Sequence, residues 1–200
     1  MPRRGPINPE GIYHVSTRGN FGEPLFVNDD QHALYLKLYA ASAQEFGWIT
    51  LDWTLLWNHH HFLIRLTEGG LSEGMQKVNH AFSRRMNAIY GRTGKGHLVR
   101  HCFYAGEIKS EEQLLTVCRY IDLNPVLAKQ CTDPAEWRWG GYRALAGRGY
   151  AEHFHDVSEL LPLFGRTPSV AHRAYRLHVL SGLDPERADP LSGNGYSAHG

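Results

Sequence analysis

The chain has 200 residues, with Lys+Arg 21 against Asp+Glu 20, and 42% of it is hydrophobic. This balance excludes an acidic or basic tail protein and an intrinsically disordered chain, and the length suits one domain or a core domain with an appendage. No apolar run approaches the roughly 18–20 residues of a membrane span, and the opening MPRRGPINPEG lacks the apolar stretch of a signal peptide, so a cytoplasmic protein is expected. Cys102, Cys118 and Cys131 have no CxxC spacing and read as reduced thiols that fill the core. Histidine is out of proportion, with 13 residues that have to be sorted by position.

Taken in chain order, residues 13–18 (YHVSTR) alternate and predict a first strand. Residues 29–46 read as a helix, with Leu34, Leu38 and Ala41 on one face, Asp29 or Asp30 as the cap and Gly47 as the stop. Two β-rich runs, 49–57 and 60–66, meet around Asn58–His59 and predict a strand pair. Helical spacing returns over 71–90, with Ser72 as the expected cap and Gly91 as the stop. Residues 103–108 form a candidate fourth strand. Ser110-Glu-Glu-Gln then opens a helix expected to end near Asn124, because Pro125 disfavours helical geometry in the residue before it. The order β-α-β-β-α-β-α predicts an α+β protein with a ferredoxin-like (RRM-like) antiparallel sheet, packed helices and one extra helix. Short helical pieces near 140–145, 157–164 and 169–180 add a small C-terminal helical appendage. The expected division is a principal domain at 1–145, the appendage at 146–182, and a flexible tail at 183–200.

The most informative segment is Trp57-Asn58-His59-His60-His61-Phe62-Leu63-Ile64-Arg65. In a strand, His59, His61, Leu63 and Arg65 share one face, and His60, Phe62, Ile64 and Leu66 share the other. His60, at the end of an apolar row, reads as a hydrogen-bonded core residue. His59 and His61 lie about 6.5–7 Å apart along the strand, close enough for both imidazoles to reach one ion. A polar, solvated strand edge is the plainer alternative for such a pair. In the helix over 114–124 (LLTVCRYIDLN), Leu114, Val117, Cys118 and Ile121 make the core stripe, and Tyr120 and Asn124 share a face one turn apart. Alone, these two are equally a rim tyrosine and a helix terminator.

Together the segments resemble the single-tyrosine HUH transposases (IS200-like), closest to the REP-associated tyrosine transposases. The resemblance rests on Asn58-His59-x-His61 followed by Arg119-Tyr120-Ile121-Asp122-Leu123-Asn124-Pro125-Val126. It extends to His14-Val15-Ser16-Thr17-Arg18-Gly19-Asn20, Phe26 with Asp29–Asp30, Asn87, Gly96-His97-Leu98 and Trp139 to Tyr142. It implies His59, His61 and Asn124 as ligands of a divalent metal, Mg²⁺ or Mn²⁺, and Tyr120 as the nucleophile. The implied activity is DNA transposition, by cleavage and rejoining of single-stranded or hairpin DNA (REP-like) through a 5′-phosphotyrosine. Relatives are monomers or homodimers, and a nucleoid-associated location follows from the DNA partner. The sequence departs from the pattern at His60, where a large apolar residue is usual, at Leu56-Trp57 in place of Met-Pro, and at Cys102 in place of an arginine for which Arg100 is a possible substitute.

Between Lys77 and Lys109 stand seven basic residues and one acidic residue, a local excess that the neutral total conceals. Arg84, Arg85, Arg92, Lys95 and Arg100 from this stretch, together with Arg18 and an N-terminal arm carrying Arg3 and Arg4, are candidate DNA contacts; an ordinary solvated helix face is the alternative. His80, His97 and His101 are possible phosphate neighbours. The run GRTGKG (91–96) lacks P-loop spacing and reads as a basic turn. By resemblance, residues 169–180, with His172, Arg173, Arg176 and His178, would help to recognise the hairpin. Three other readings compete. They are a catalytically silent hairpin-binding protein, a ferredoxin-like RNA-binding module, and a zinc hydrolase built on the histidine cluster.

Overall fold

In the computed structural model the described residues are 7–20, 23–91, 98–99 and 103–183. The expectations for Arg3, Arg4, Arg92, Lys95, His97, Arg100, His101, Cys102 and the tail from 184 onward lie outside them. Among the described residues, four strands form the sheet: β1 (Ile12–Arg18), β2 (Ile49–Leu55), β3 (His59–Arg65) and β4 (Tyr104–Ile108). Their spatial order is β2-β3-β1-β4, with each neighbouring pair antiparallel, so β1 and β3 are central. The helices are α1 (Asp29–Glu45), α2 (Leu71–Ile89), α3 (Glu111–Leu127), the single turn α4 (Tyr142–Leu145) and α5 (Pro168–Leu180). This is the expected α+β architecture of an antiparallel sheet with packed helices.

The pleat sorts the core into two halves. Val15, Trp53, Leu55, Phe62 and Ile64 point to the side covered by α1 and α2, where they pack with Tyr35, Tyr39, Met75 and Phe82. Leu51 and Leu63 point to the other side and pack with Val117, Cys118 and Ile121 of α3 and with Tyr175 and Val179 of α5. The β2–β3 register shifts between Thr50 and Asp52, a bulge that lets Leu51 and Asp52 both face α3. The C-terminal helix α5 therefore closes the same core as the sheet. His172 Nδ1 meets the Leu145 carbonyl at 2.7 Å, Arg176 donates to the Ala146 carbonyl at 2.6 Å, and His178 Nε2 meets the Leu115 carbonyl at 3.0 Å. Three of the four side chains that the resemblance assigned to hairpin recognition thus dock the helix onto the protein, and Arg173 is exposed.

Local differences from the sequence expectation have physical reasons. The α1 cap is Asn28, whose extended backbone lets its side chain accept from the Gln31 N–H, so Asp29 and Asp30 fall inside the first turn. α2 has no side-chain cap at Ser72; it starts from Gly70 at φ 71, a left-handed turn closed against the Phe46 ring, which leaves no room for a Cβ. Ser110 does cap α3, accepting from the Gln113 N–H. α3 then runs through Pro125 to Leu127 instead of stopping near Asn124. Proline removes the N–H that would serve the Ile121 carbonyl, but later amides resume the ladder, Ala128 donating to Asn124 and Gln130 to Pro125. Burial of Leu123, Asn124 and Pro125 holds the turn, and the chain leaves it at Lys129, whose φ is 57.

Two carboxyls are sealed in the core on the α3 side. Asp122 accepts from the Tyr175 hydroxyl at 2.6 Å, and Asp52 accepts from the Trp53 N–H at 2.8 Å. Asp52 Oδ2 and Asp122 Oδ1 have no protein partner. Burial pushes Asp122 up to about 8; burial and then the charge of Asp122 push Asp52 well above the ordinary range. Burial moves His14, His60 and His155 the other way, down to about 4, 3 and 4. The histidines bind protons more weakly when folded, so their contribution is present above about 6.5 and is lost as pH falls toward 3–4. The aspartates bind protons more tightly when folded, so their contribution is present at low pH and is lost as pH rises through about 8. Thermal stability should peak at about pH 6–7, and Asp52→Asn should flatten the decline on the alkaline side. A denaturation series from pH 4 to 9 checks this, and an unchanged alkaline slope in the variant would contradict it.

Candidate active site

The site grows from the β1–β3 register. Ser16 lies opposite His61 and Arg18 opposite His59, so His14, Ser16 and Arg18 share the α3-facing side with His59 and His61. β3 starts at His59, not after it, because the turn closes one residue earlier through the Leu56 N–H and the His59 carbonyl at 2.8 Å. α3 crosses this face and presents Tyr120 and Asn124 from successive turns. His59 Nε2 lies 2.9 Å from Asn124 Oδ1. The His59 and His61 rings stand at 86° with centroids 5.0 Å apart, and the Tyr120 ring meets His61 edge-on at 5.3 Å. All four residues singled out in the sequence converge. His60, on the other face, is buried with Nε2 2.6 Å from the Tyr35 hydroxyl, the core role expected of it.

Electrostatics keep the imidazoles neutral. Burial lowers His59, with Asn124 opposing and the Arg18 charge assisting. His61 is held well below its ordinary value, first by burial and then by His14, His59, His60 and Arg18. A neutral ring carries one N–H. For His59 the shorter of its two contacts, Nδ1 to Asn58 Oδ1 at 2.6 Å against Nε2 to Asn124 Oδ1 at 2.9 Å, favours a proton on Nδ1. Nε2 is then a lone pair turned toward the Asn124 carbonyl oxygen, also an acceptor. His61 Nε2 is buried and has no protein partner. Two convergent acceptors and an orphaned nitrogen are a donor set that suits a cation. His59 Nε2 and Asn124 Oδ1, 2.9 Å apart, are close enough that both could reach one cation. Among the described residues, no three His, Cys, Asp or Glu side chains are grouped to hold a metal, so Asn124 would be the third protein donor.

The remaining candidates separate. Arg18 belongs to the site. Arg84, Arg85 and His80 lie on the exposed side of α2, across the sheet from α3, and so stand apart from Tyr120. His14 escaped the sequence reading as a site residue. It is 2% exposed, with Nε2 2.9 Å from His61 Nδ1 and its ring 5.9 Å edge-on to Tyr120. Its alternation with Ser16 and Arg18 was the available signal.

A family model described as "Transposase IS200 like" matches residues 10–124. The chain belongs to the IS200-like transposase family. The matched segment opens just before β1 and closes on Asn124, so it contains all the converging side chains. A solved REP-associated tyrosine transposase bound to a REP hairpin shares this transposase's fold, with TM-score 0.63 and 16% identity over 79% of this chain and 93% of that one. A protein described as a candidate transposase from Deinococcus radiodurans R1 aligns with TM-score 0.42 and 16% identity, over 61% of this chain and 95% of that one. No curated protein is significantly similar in sequence. No helix among the described residues is long and apolar enough to cross a membrane.

With the His59 proton on Nδ1, Asn58 Oδ1 is the acceptor that holds it there. Asn58→Ala removes the acceptor at Nδ1 and should move the His59 proton toward Nε2, where Asn124 Oδ1 can accept it. Imidazole ¹⁵N spectra read this directly, and an unmoved proton would show that Asn58 does not set the tautomer.

Proposed function

We propose that this transposase cuts and rejoins single-stranded or hairpin DNA with Tyr120 as nucleophile, in a divalent-metal-dependent reaction. The observation that carries the reading is the convergence of His59 Nε2 and Asn124 Oδ1 at 2.9 Å beside the Tyr120 ring. His59, His61 and Asn124 would hold the metal. Neutral donors leave the charge of Mg²⁺ or Mn²⁺ undiminished, to polarise a scissile phosphate. Tyr120 Oη attacks the phosphorus, giving up its proton, while the P–O3′ bond breaks and O3′ takes up a proton to leave as a 3′-OH. The resulting 5′-phosphotyrosine keeps the phosphodiester energy, and a 3′-OH can displace the tyrosine in reverse. Arg18, opposite His59 at the end of the central strand pair, supplies a cation for the DNA backbone. The partner class is supported by the REP hairpin bound to the related structure. The C-terminal helix, with three of its basic or imidazole groups docked on carbonyls, offers Arg173 to DNA.

Incubation of the full chain with end-labelled single-stranded or hairpin DNA and Mn²⁺ should yield a covalent protein–DNA adduct. Tyr120→Phe should abolish it, and His59→Ala, His61→Ala or chelation should reduce it at least 100-fold. No adduct from the wild type would favour a silent hairpin binder. An undiminished adduct from Tyr120→Phe would remove the tyrosine from its role.

A further inference from the structure

The buried histidine beside His61 has an assigned place in the strand but no role in the reading above. His14 and His61 are diagonal neighbours on the α3-facing side of the sheet, since Ser16 is the residue directly opposite His61. Their rings stack at 25° with centroids 5.0 Å apart, and His14 Nε2 lies 2.9 Å from His61 Nδ1. They are 2% and 5% exposed. Edge contacts from Tyr104 and Tyr120, each at 5.9 Å, fix the His14 ring from two further sides. Tyr104 itself folds back over Gly106, where an added Cβ would sit 2.4 Å from its hydroxyl oxygen.

One hydrogen bond between two neutral imidazoles allows two proton arrangements. If His14 Nε2 carries the proton and donates, the remaining proton of His61 must sit on Nε2. That atom is sealed from solvent and has no protein acceptor, which makes this a buried donor left unsatisfied. If His61 donates from Nδ1, its Nε2 is a bare lone pair, and His14 carries its own proton on Nδ1. The second arrangement moves the sealed N–H to His14 Nδ1, so each arrangement buries one such group, but only the second leaves His61 Nε2 free to bind a cation, as its reading as a ligand requires.

We propose that His14 is a positioning residue whose Nε2 accepts from His61 Nδ1–H, fixing the tautomer and ring orientation in which His61 Nε2 faces the divalent cation. The proposal rests on the reading of His61 as a ligand. It gives β1 a share in the metal site alongside β3 and α3, and it makes the two ligand histidines equivalent in design. Each has its Nδ1 proton accepted by a neighbour, Asn58 for His59 and His14 for His61. Partners of this kind typically change metal affinity by about 10–100-fold.

The test compares the full-length wild type with His14→Phe, which keeps a ring but no acceptor, and with His14→Gln, whose Oε1 can reach the position of Nε2. Two readouts are taken without DNA: titration calorimetry with Mn²⁺, and imidazole ¹⁵N spectra of the metal-free protein. His14→Phe should weaken Mn²⁺ binding by about 10–100-fold, and His14→Gln should restore it to within several-fold of wild type. The wild-type His61 proton should sit on Nδ1 and should shift toward Nε2 in His14→Phe. A simple packing role would not produce the rescue or the tautomer shift. Wild-type affinity in His14→Phe, or a wild-type His61 protonated on Nε2, overturns the proposal while leaving the ligand reading in place. A wild type that binds no Mn²⁺ overturns the ligand reading, and His14's role with it. The wild-type spectrum needs no substitution and decides the tautomer even where His14→Phe does not fold.

Discussion

The site depends on β3 being covered on both faces. A strand with one open face could expose its histidines to water, where they would titrate near neutrality and serve as ordinary polar residues. In this fold α1 and α2 take one face of β3 and α3 takes the other, so the three consecutive histidines are drawn into low-dielectric surroundings. Burial makes the charged rings costly, and neutral rings must then place each proton and each lone pair deliberately. The contacts of His59, His60 and His61 to Asn58, Tyr35 and His14 follow from that requirement.

The same enclosure divides labour between the two halves of the core. The α1–α2 side is aromatic and tightly stacked, with Tyr39 over Phe62 at 3.8 Å, and it provides stiffness beneath the histidine row. The α3 side is polar at its centre, where Asp52, Asp122 and Tyr175 lie under the helix that carries Tyr120 and Asn124. A protonated buried carboxyl pair is a costly way to fill a core. Here Asp122 and Tyr175 tie α3 to α5 behind the site, with Asp52 of β2 buried beside them.

Much of this was legible in the sequence because the informative signals were local. Two-residue alternation separated His60 from His59 and His61, and four-residue spacing put Tyr120 above Asn124. What escaped was non-local. The partnership of His14 with His61 spans 47 residues and is set by how β1 slides along β3, which no single window contains. The position of Arg84 and Arg85, candidate DNA contacts, is likewise non-local: the sheet separates their helix α2 from α3. Pro125 disfavours helical geometry in the residue before it, yet tertiary burial of Asn124 keeps the helix going and so preserves the approach of Asn124 to His59.

The docking of α5 sets the order in which the molecule can be completed during synthesis. Every group that converges at the site has been made once Asn124 is joined to the chain. The hydroxyl that anchors Asp122 belongs to Tyr175, 53 residues after it, and the imidazole that reaches the Leu115 carbonyl belongs to His178. Until that last helix leaves the ribosome, α3 lacks the cover that Tyr175 and Val179 give its apolar stripe, and Asp122 lacks its partner. A nascent transposase therefore has its chemistry spelled out well before its geometry is secured, and the final helix determines when the two coincide.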